Sequence, residues 1–229
     1  MFLHLKNILT ADELAHARSL LGETAPWVNG ARSAGEQAVQ HKNNQQLAQD
    51  SDAARELQAL VLQAVQRDAL FFSAALPKRI FNPLFNRYSG ATNFYGDHVD
   101  GAILHSRATQ QWVRTDISCT LFLADPDEYE GGELTVREHE GDKRIKLPAG
   151  DAILYPGSTV HQVAPVTRGA RLASFFWVES MVRSTAQRRL LFDMDMALLQ
   201  LRASAGERDP AVVCLTGTYH NLLRMWADS

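Results

Sequence analysis

The chain reads as an α+β fold: an antiparallel β-sandwich or barrel in the middle, with helical sections on both sides. Three observations carry this. Residues 79 to 179 alternate short apolar runs with turn signals and hold no helical period between them, which argues against a parallel sheet. Helical spacing dominates both before and after that stretch. At 229 residues, 45% of them hydrophobic and 21% charged, the chain is long enough for one substantial core and too apolar to be disordered.

The section from residue 1 to about 75 is expected to be mostly helical. Thr10 and Glu13 have capping-box spacing and open a helix through Leu14, Ala17, Leu20 and Leu21. A polar, glycine-containing stretch from Asn29 to Asp50 follows. A second helix then places Leu57, Leu60, Val61, Ala64 and Val65 on one face. In the strand-like section, IFNPLFNRY ends at Ser89-Gly90, and TDISCTLFLA puts Ile117, Cys119, Leu121 and Leu123 on one face. Runs 133–138 and 143–147 flank a hairpin turn at Gly141-Asp142, and Gly131-Gly132 form a turn that needs positive φ. RLASFFWVES is a long aromatic-rich strand. Beyond Val182 the period is helical again: Ser184 and Gln187 have capping-box spacing, and Asp209-Pro210 starts a last helix, two helices that could form a hairpin. The organisation read from this is a helical region over 1–77, the β core over 78–180 and a helical extension over 181–229.

Composition removes several function classes. The net charge is -3 with no long run of one sign, so neither nucleic acid nor a membrane surface has electrostatic support as a partner. No apolar stretch approaches a membrane span, and MFLHLKNILTADEL lacks a basic n-region. Two cysteines far apart, Cys119 and Cys214, read as reduced thiols in a cytoplasmic protein.

The residues that carry chemistry are His98, Asp100 and His161. Residues two apart on a strand share a side, so His98 and Asp100 can reach one ion, with His161 arriving from another strand. Two imidazoles and a carboxylate occupy one face of an octahedral metal and suit non-haem Fe(II). H-x-D alone also occurs at exposed strand ends. His4, His16, His41, His105, His139 and His220 lack comparable surroundings and read as solvated or packing residues. Arg171 lies ten residues beyond His161 in an apolar strand. It is either a surface ion-pair residue or the partner of an anion. Fe(II) with one carboxylate carries a net single positive charge, a bound dicarboxylate reverses it, and one guanidinium restores neutrality. Tyr88, ten residues before His98, is either a core aromatic or a hydroxyl donor to a bound carboxylate. The segment 101 to 114, with His105, Arg107, Trp112 and Arg114, is a substrate-facing loop or an ordinary solvated one.

The pattern Y-x9-H-x-D then H-x9-R, with NRYSGATNFYGDHVDGA, LFLADPDEYEGGELTV and LPAGDAILYPGSTVHQVAPVTRGARLAS, closely resembles bacterial PKHD-type hydroxylases. These belong to the prolyl-4-hydroxylase-like branch of Fe(II)- and 2-oxoglutarate-dependent dioxygenases, and the resemblance covers nearly the whole chain. It implies a double-stranded β-helix (jelly roll) with helices packed outside. It implies Fe(II) on His98, Asp100 and His161, and 2-oxoglutarate with its distal carboxylate on Arg171 and a contact from Tyr88. O2 is the second co-substrate and L-ascorbate an accessory reductant. The implied reaction couples decarboxylation of 2-oxoglutarate to succinate and CO2 with C–H hydroxylation. The retained Asp100 argues against a halogenase. The resemblance suggests as substrate a prolyl residue in a protein, by analogy with the branch, or a small molecule such as a siderophore, from the group's association with iron metabolism, and the C-terminal helices could pair subunits or shape the cavity mouth. Animal relatives carry a tyrosine beside the arginine where this chain has Phe122, with Ser118 or Thr120 as candidate replacements. The competing reading is a non-catalytic metal- or ligand-binding jelly roll.

Overall fold

A computed structural model describes residues 1–33, 41–106, 108–138 and 141–228. Arg107 and His139 lie outside the described residues. The N-terminal section contains β1 (Leu3–Leu5), α1 (Ala11–Leu20), β2 (Trp27–Asn29), β3 (Lys42–Asn43), β4 (Gln45–Leu47), α2 (Asp52–Arg67) and α3 (Ala69–Ala75). The central section contains β5 (Pro77–Ile80), β6 (Leu84–Ser89), β7 (Phe94–His98), β8 (Ile103–Ser106), β9 (Gln111–Arg114) and β10 (Ile117–Phe122). It continues with β11 (Tyr129–Gly131), β12 (Leu134–Val136), β13 (Lys143–Ile145), β14 (Ala152–Pro156), β15 (His161–Val163) and β16 (Val166–Ser180). The chain finishes with α4 (Thr185–Ala205) and α5 (Pro210–Trp226).

Two antiparallel sheets face each other as a jelly roll. The larger runs β1-β14-β10-β16-β6-β4-β2, with β5 and β11 also pairing β16. The smaller runs β13-β12-β15-β7-β3, and β8-β9 form a separate hairpin. The first 75 residues are less helical than their periodicity suggests. β1 adds to β14, β2 and β4 extend the large sheet beyond β6, and β3 edges the small sheet at β7. These strands are two or three residues long, too short for alternation to show in the sequence, and tertiary pairing alone makes them strands.

Register assigns the two faces of the large sheet. Cys119 pairs with Leu154 on one side and Phe176 on the other. That face joins Leu57, Val61, Ala64 and Val65 of α2 in the main hydrophobic core. Each of the larger side chains there contributes about 1.5–3 kcal/mol by leaving water. On the opposite face, Ser118 pairs with Tyr155 and Trp177, Phe122 with Ala173, and Arg171 with Tyr88. Strand β10 is therefore buried on both sides: apolar toward the helices, largely polar toward the small sheet.

The capping signals hold. Thr10 and Glu13 form a reciprocal capping box on α1. Ser184 Oγ accepts from the Gln187 N–H at 3.4 Å, and Asp209 caps α5 with Pro210 beside it. The helices α4 and α5 form a hairpin docked on the core, not a detached tail. Ser73 of α3 donates to Asp195 at 2.6 Å, and the buried Arg188 donates to the carbonyls of Val182 and Arg183. Leu190 and Leu199 of α4 are exposed, but nine residues is about two and a half turns, so they point to opposite sides.

Two outcomes follow. Glu13 is held near pKa 2 by its hydrogen bonds from Arg67, below its ordinary 4.5. A depressed carboxyl stabilises the fold above pH 4.5 and loses that contribution as pH falls toward 2. Glu13→Gln is expected to cost about 0.5–1 kcal/mol at neutral pH, since both partners are partly solvated. Urea unfolding should show the deficit at pH 7 and a shrinking one below pH 4.5. Burial raises the Cys119 thiol pKa, whereas Cys214 is exposed. Ellman titration should find one reactive thiol in the native protein and two in guanidinium.

Candidate metal centre

Strands β7 and β15 pair with His161 directly opposite His98. Asp100 follows two residues after His98, and Ser118 of β10 donates to its Oδ2 at 2.6 Å. One ligand atom from each of His98, Asp100 and His161 lies within 4.8 Å of the other two. The imidazole Nε2 atoms approach the carboxylate to 4.0 Å and 3.7 Å. Each Nδ1 faces a backbone carbonyl, Gly96 O at 2.8 Å for His98 and Thr159 O at 3.0 Å for His161. A carbonyl only accepts, so Nδ1–H must donate, and both Nε2 lone pairs are left for a metal. Burial first, and then the charge of His161, push the His98 pKa down to about 4, so its imidazole is neutral at pH 7, the form a metal can take as a ligand.

Aromatic rings wall the cluster. Tyr95 stacks on His98 at 3.5 Å between centroids, and Tyr155 meets His161 edge-on at 5.2 Å. Lys42 of β3 lies 5.0 Å from the Tyr95 centroid, its pKa lowered to about 8 by burial while Asp100 pulls the other way.

Arg171 is 1% exposed, and its Nε and Nη1 have no hydrogen-bond partner. The surface ion-pair alternative is thereby excluded. Its guanidinium carbon sits 5.3 Å from the rings of both Tyr88 and Phe122. Tyr88 is buried, and its hydroxyl accepts from Asn86 at 3.4 Å. A full charge in the interior without an acceptor is costly and calls for an anionic ligand. The donor set and the unpartnered guanidinium thus fit a divalent metal together with a carboxylate compound.

The expected substitutes for a tyrosine at Phe122 are engaged elsewhere. Ser118 is committed to Asp100, and Thr120 hydrogen-bonds the Tyr155 hydroxyl. In the segment 101 to 114, Arg114 is structural, bridging Asp116 at 2.7 Å and Glu179 at 3.6 Å. Trp112 is exposed and packs edge-on with His105. Sequence reasoning missed Lys42 and the Asp100-orienting role of Ser118. Lys42 sits in a stretch with no periodicity, but Ser118, opposite the apolar positions of β10, was findable as a buried hydroxyl on the inward face.

Comparison with known proteins decides the family. Residues 83–179 match the 2OG-Fe(II) oxygenase superfamily and residues 186–228 the PKHD-type hydroxylase C-terminal domain. A PKHD-type hydroxylase from Polaromonas sp. is 61% identical over 229 residues, covering all of both chains. One from Variovorax paradoxus is 58% identical over 228 residues with the same full coverage. The chain belongs to the PKHD-type hydroxylases. It is a 2-oxoglutarate-dependent Fe(II) dioxygenase, with Fe(II) as cofactor and 2-oxoglutarate and O2 as co-substrates. The binding-module alternative falls with that assignment. Among solved structures, a prolyl hydroxylase from Trichoplax adhaerens in complex with a hypoxia inducible factor peptide fragment has the same fold. Its TM-score is 0.55 at 15% identity, covering 83% of this PKHD-type hydroxylase and 86% of that chain. A carbocyclase from nogalamycin biosynthesis gives 0.54 at 16% identity, covering 79% and 80%. No helix among the described residues is long and apolar enough to cross a membrane.

Proposed function

We propose that His98, Asp100 and His161 hold the Fe(II), that Arg171 and Tyr88 hold 2-oxoglutarate, and that the enzyme hydroxylates a C–H bond of a substrate linked to iron metabolism. The carrying observation is the convergence of three ligand atoms within 4.8 Å beside a buried guanidinium that lacks an acceptor. Bound together, Fe(II), 2-oxoglutarate and O2 supply the oxidant, with succinate and CO2 released and one oxygen atom delivered to the substrate.

The protein's part is position and charge. Both imidazoles present Nε2, because Nδ1–H of each is spent on a carbonyl. Ser118 turns the Asp100 carboxylate toward the same point. Arg171 supplies a positive charge at the distal end that offsets the surplus negative charge of metal, Asp100 and a dicarboxylate, and Lys42 is a second cation in the field of Asp100. Tyr95, Tyr155 and Phe122 exclude water around these groups, which strengthens each electrostatic contact. L-Ascorbate is proposed as the reductant that keeps the iron as Fe(II). The two unpaired thiols support a reducing, cytoplasmic setting.

The substrate is proposed to be a siderophore-type small molecule or a prolyl residue, the classes that the family resemblance supplies. Succinate release against a panel of siderophores and proline peptides distinguishes them. Asp100→Ala should abolish succinate formation, and Arg171→Ala should raise the KM for 2-oxoglutarate at least tenfold or abolish turnover, given about 1.5–3 kcal/mol for a hydrogen bond to a charged group. Turnover unchanged in either variant would remove that residue's role. Ser118→Ala should retain the fold and bind Fe(II) roughly 10–100-fold more weakly, read by competition with a chromogenic chelator.

A further inference from the structure

Arg171 shares its pocket with a second orphan. Tyr129 is 1% exposed, and its hydroxyl has no hydrogen-bond partner. The two residues lie on neighbouring strands. Tyr129 of β11 pairs with Gly169 of β16, which sets Arg171 on the diagonal, two residues further along and on the same face. Gly169 has φ +73°, and a Cβ there would meet Glu128 O at 2.0 Å and Tyr129 Cα at 3.0 Å. Only glycine lets β11 come this close to β16.

The ring of Tyr129 is clamped. A Cβ on Gly132 would stand 2.9 Å from its Cε2, so the missing side chain makes room for one edge. On its face, Lys146 Nζ lies 4.0 Å from the centroid while donating to the Tyr129 carbonyl at 2.7 Å. Burial raises the phenol pKa, and the charge of Arg171 together with a loose approach of its guanidinium to the hydroxyl pulls it back, so the two groups are immediate neighbours although their geometry falls short of a formed hydrogen bond. The phenol is neutral at pH 7 and free to donate.

The buried Tyr129 O–H and the Nε and Nη1 of Arg171 thus form no well-shaped hydrogen bond, and even where the guanidinium leans on the phenol oxygen the O–H proton is left to donate and the charge is left without an anion. No acidic side chain forms an ion pair with Arg171 among the described residues, and the ring facing it from β10 is Phe122, which cannot donate. A carboxylate, with about four lone-pair sites, satisfies such a donor set and its charge together. We propose that Tyr129 Oη–H is the second donor, beside Arg171, to the distal carboxylate of 2-oxoglutarate. It takes from β11 the position that β10 leaves empty at Phe122. This rests on the reading that Arg171 receives that carboxylate.

Tyr129→Phe removes the hydroxyl and keeps the ring. Under anaerobic conditions, Fe(II)-loaded enzyme is titrated with 2-oxoglutarate, following the visible charge-transfer band, and in parallel with pyruvate, a 2-oxo acid without a distal carboxylate. The expected result is a 2-oxoglutarate Kd raised roughly tenfold or more, the size for a hydrogen bond to a charged acceptor. The pyruvate Kd and the thermal midpoint should not change. An unchanged 2-oxoglutarate Kd, or equal losses for both acids, overturns the proposal. Arg171→Gln separates the two levels. If it weakens 2-oxoglutarate while Tyr129→Phe does not, only the tyrosine's role falls. If it leaves binding intact, the reading of Arg171 falls and the inference with it.

Discussion

A positive charge buried without an acceptor is the constraint around which the β core is organised. Arg171 lies in the middle of β16, the strand that pairs with β5, β6, β10 and β11, so its surroundings are set by much of the large sheet. Its guanidinium sits 5.3 Å from the rings of both Tyr88 and Phe122. A charge in such a place destabilises the free protein and is offset only by an anion. The same feature that weakens the empty fold therefore suits the pocket to an anion.

The cluster of His98, Asp100 and His161 leaves its side chains little freedom. The β7–β15 register puts the two imidazoles opposite each other, with ring centroids 4.2 Å apart. Backbone carbonyls fix their tautomers, Tyr95 and Tyr155 fix their planes, and Ser118 fixes the carboxylate. The small sheet provides both histidines, and the large sheet provides Arg171, Tyr88 and Ser118. The His98–Asp100–His161 cluster and the Arg171 pocket thus draw on facing layers, and the distance between the sheets sets the distance between them.

The flanking sections serve this arrangement in different ways. α2 covers the outer face of the large sheet, and β3 and β4 carry polar side chains to the inner side. α4 and α5 dock through Leu76, Val182, Leu191, Tyr219 and Trp226, and the Arg114–Asp116–Ser180 contacts tie the end of β9 to the end of β16, just before α4.

Much was legible in the residues themselves. The helix caps at Thr10, Ser184 and Asp209 are local hydrogen-bonding patterns, so a few neighbouring residues determine them. The alternation in β10, the glycine turn at Gly131-Gly132 and the hairpin at Gly141-Asp142 are likewise short-range. His98, Asp100 and His161 stood out by the H-x-D spacing and a later histidine able to share one ion, and Arg171 because a guanidinium is costly in an apolar strand. Tertiary structure decided the rest. Strands β1 to β4 exist only because partners distant in sequence pair with them. Ser118 could serve Asp100 or the arginine pocket by composition, and the position of β10 against the small sheet selects Asp100. Tyr129 reads as an ordinary core aromatic until β11 crosses Gly169 and brings its hydroxyl to Arg171. Local chemistry is written in sequence neighbours, whereas which buried donor meets which acceptor depends on strand register, and register is a property of the assembled sheets.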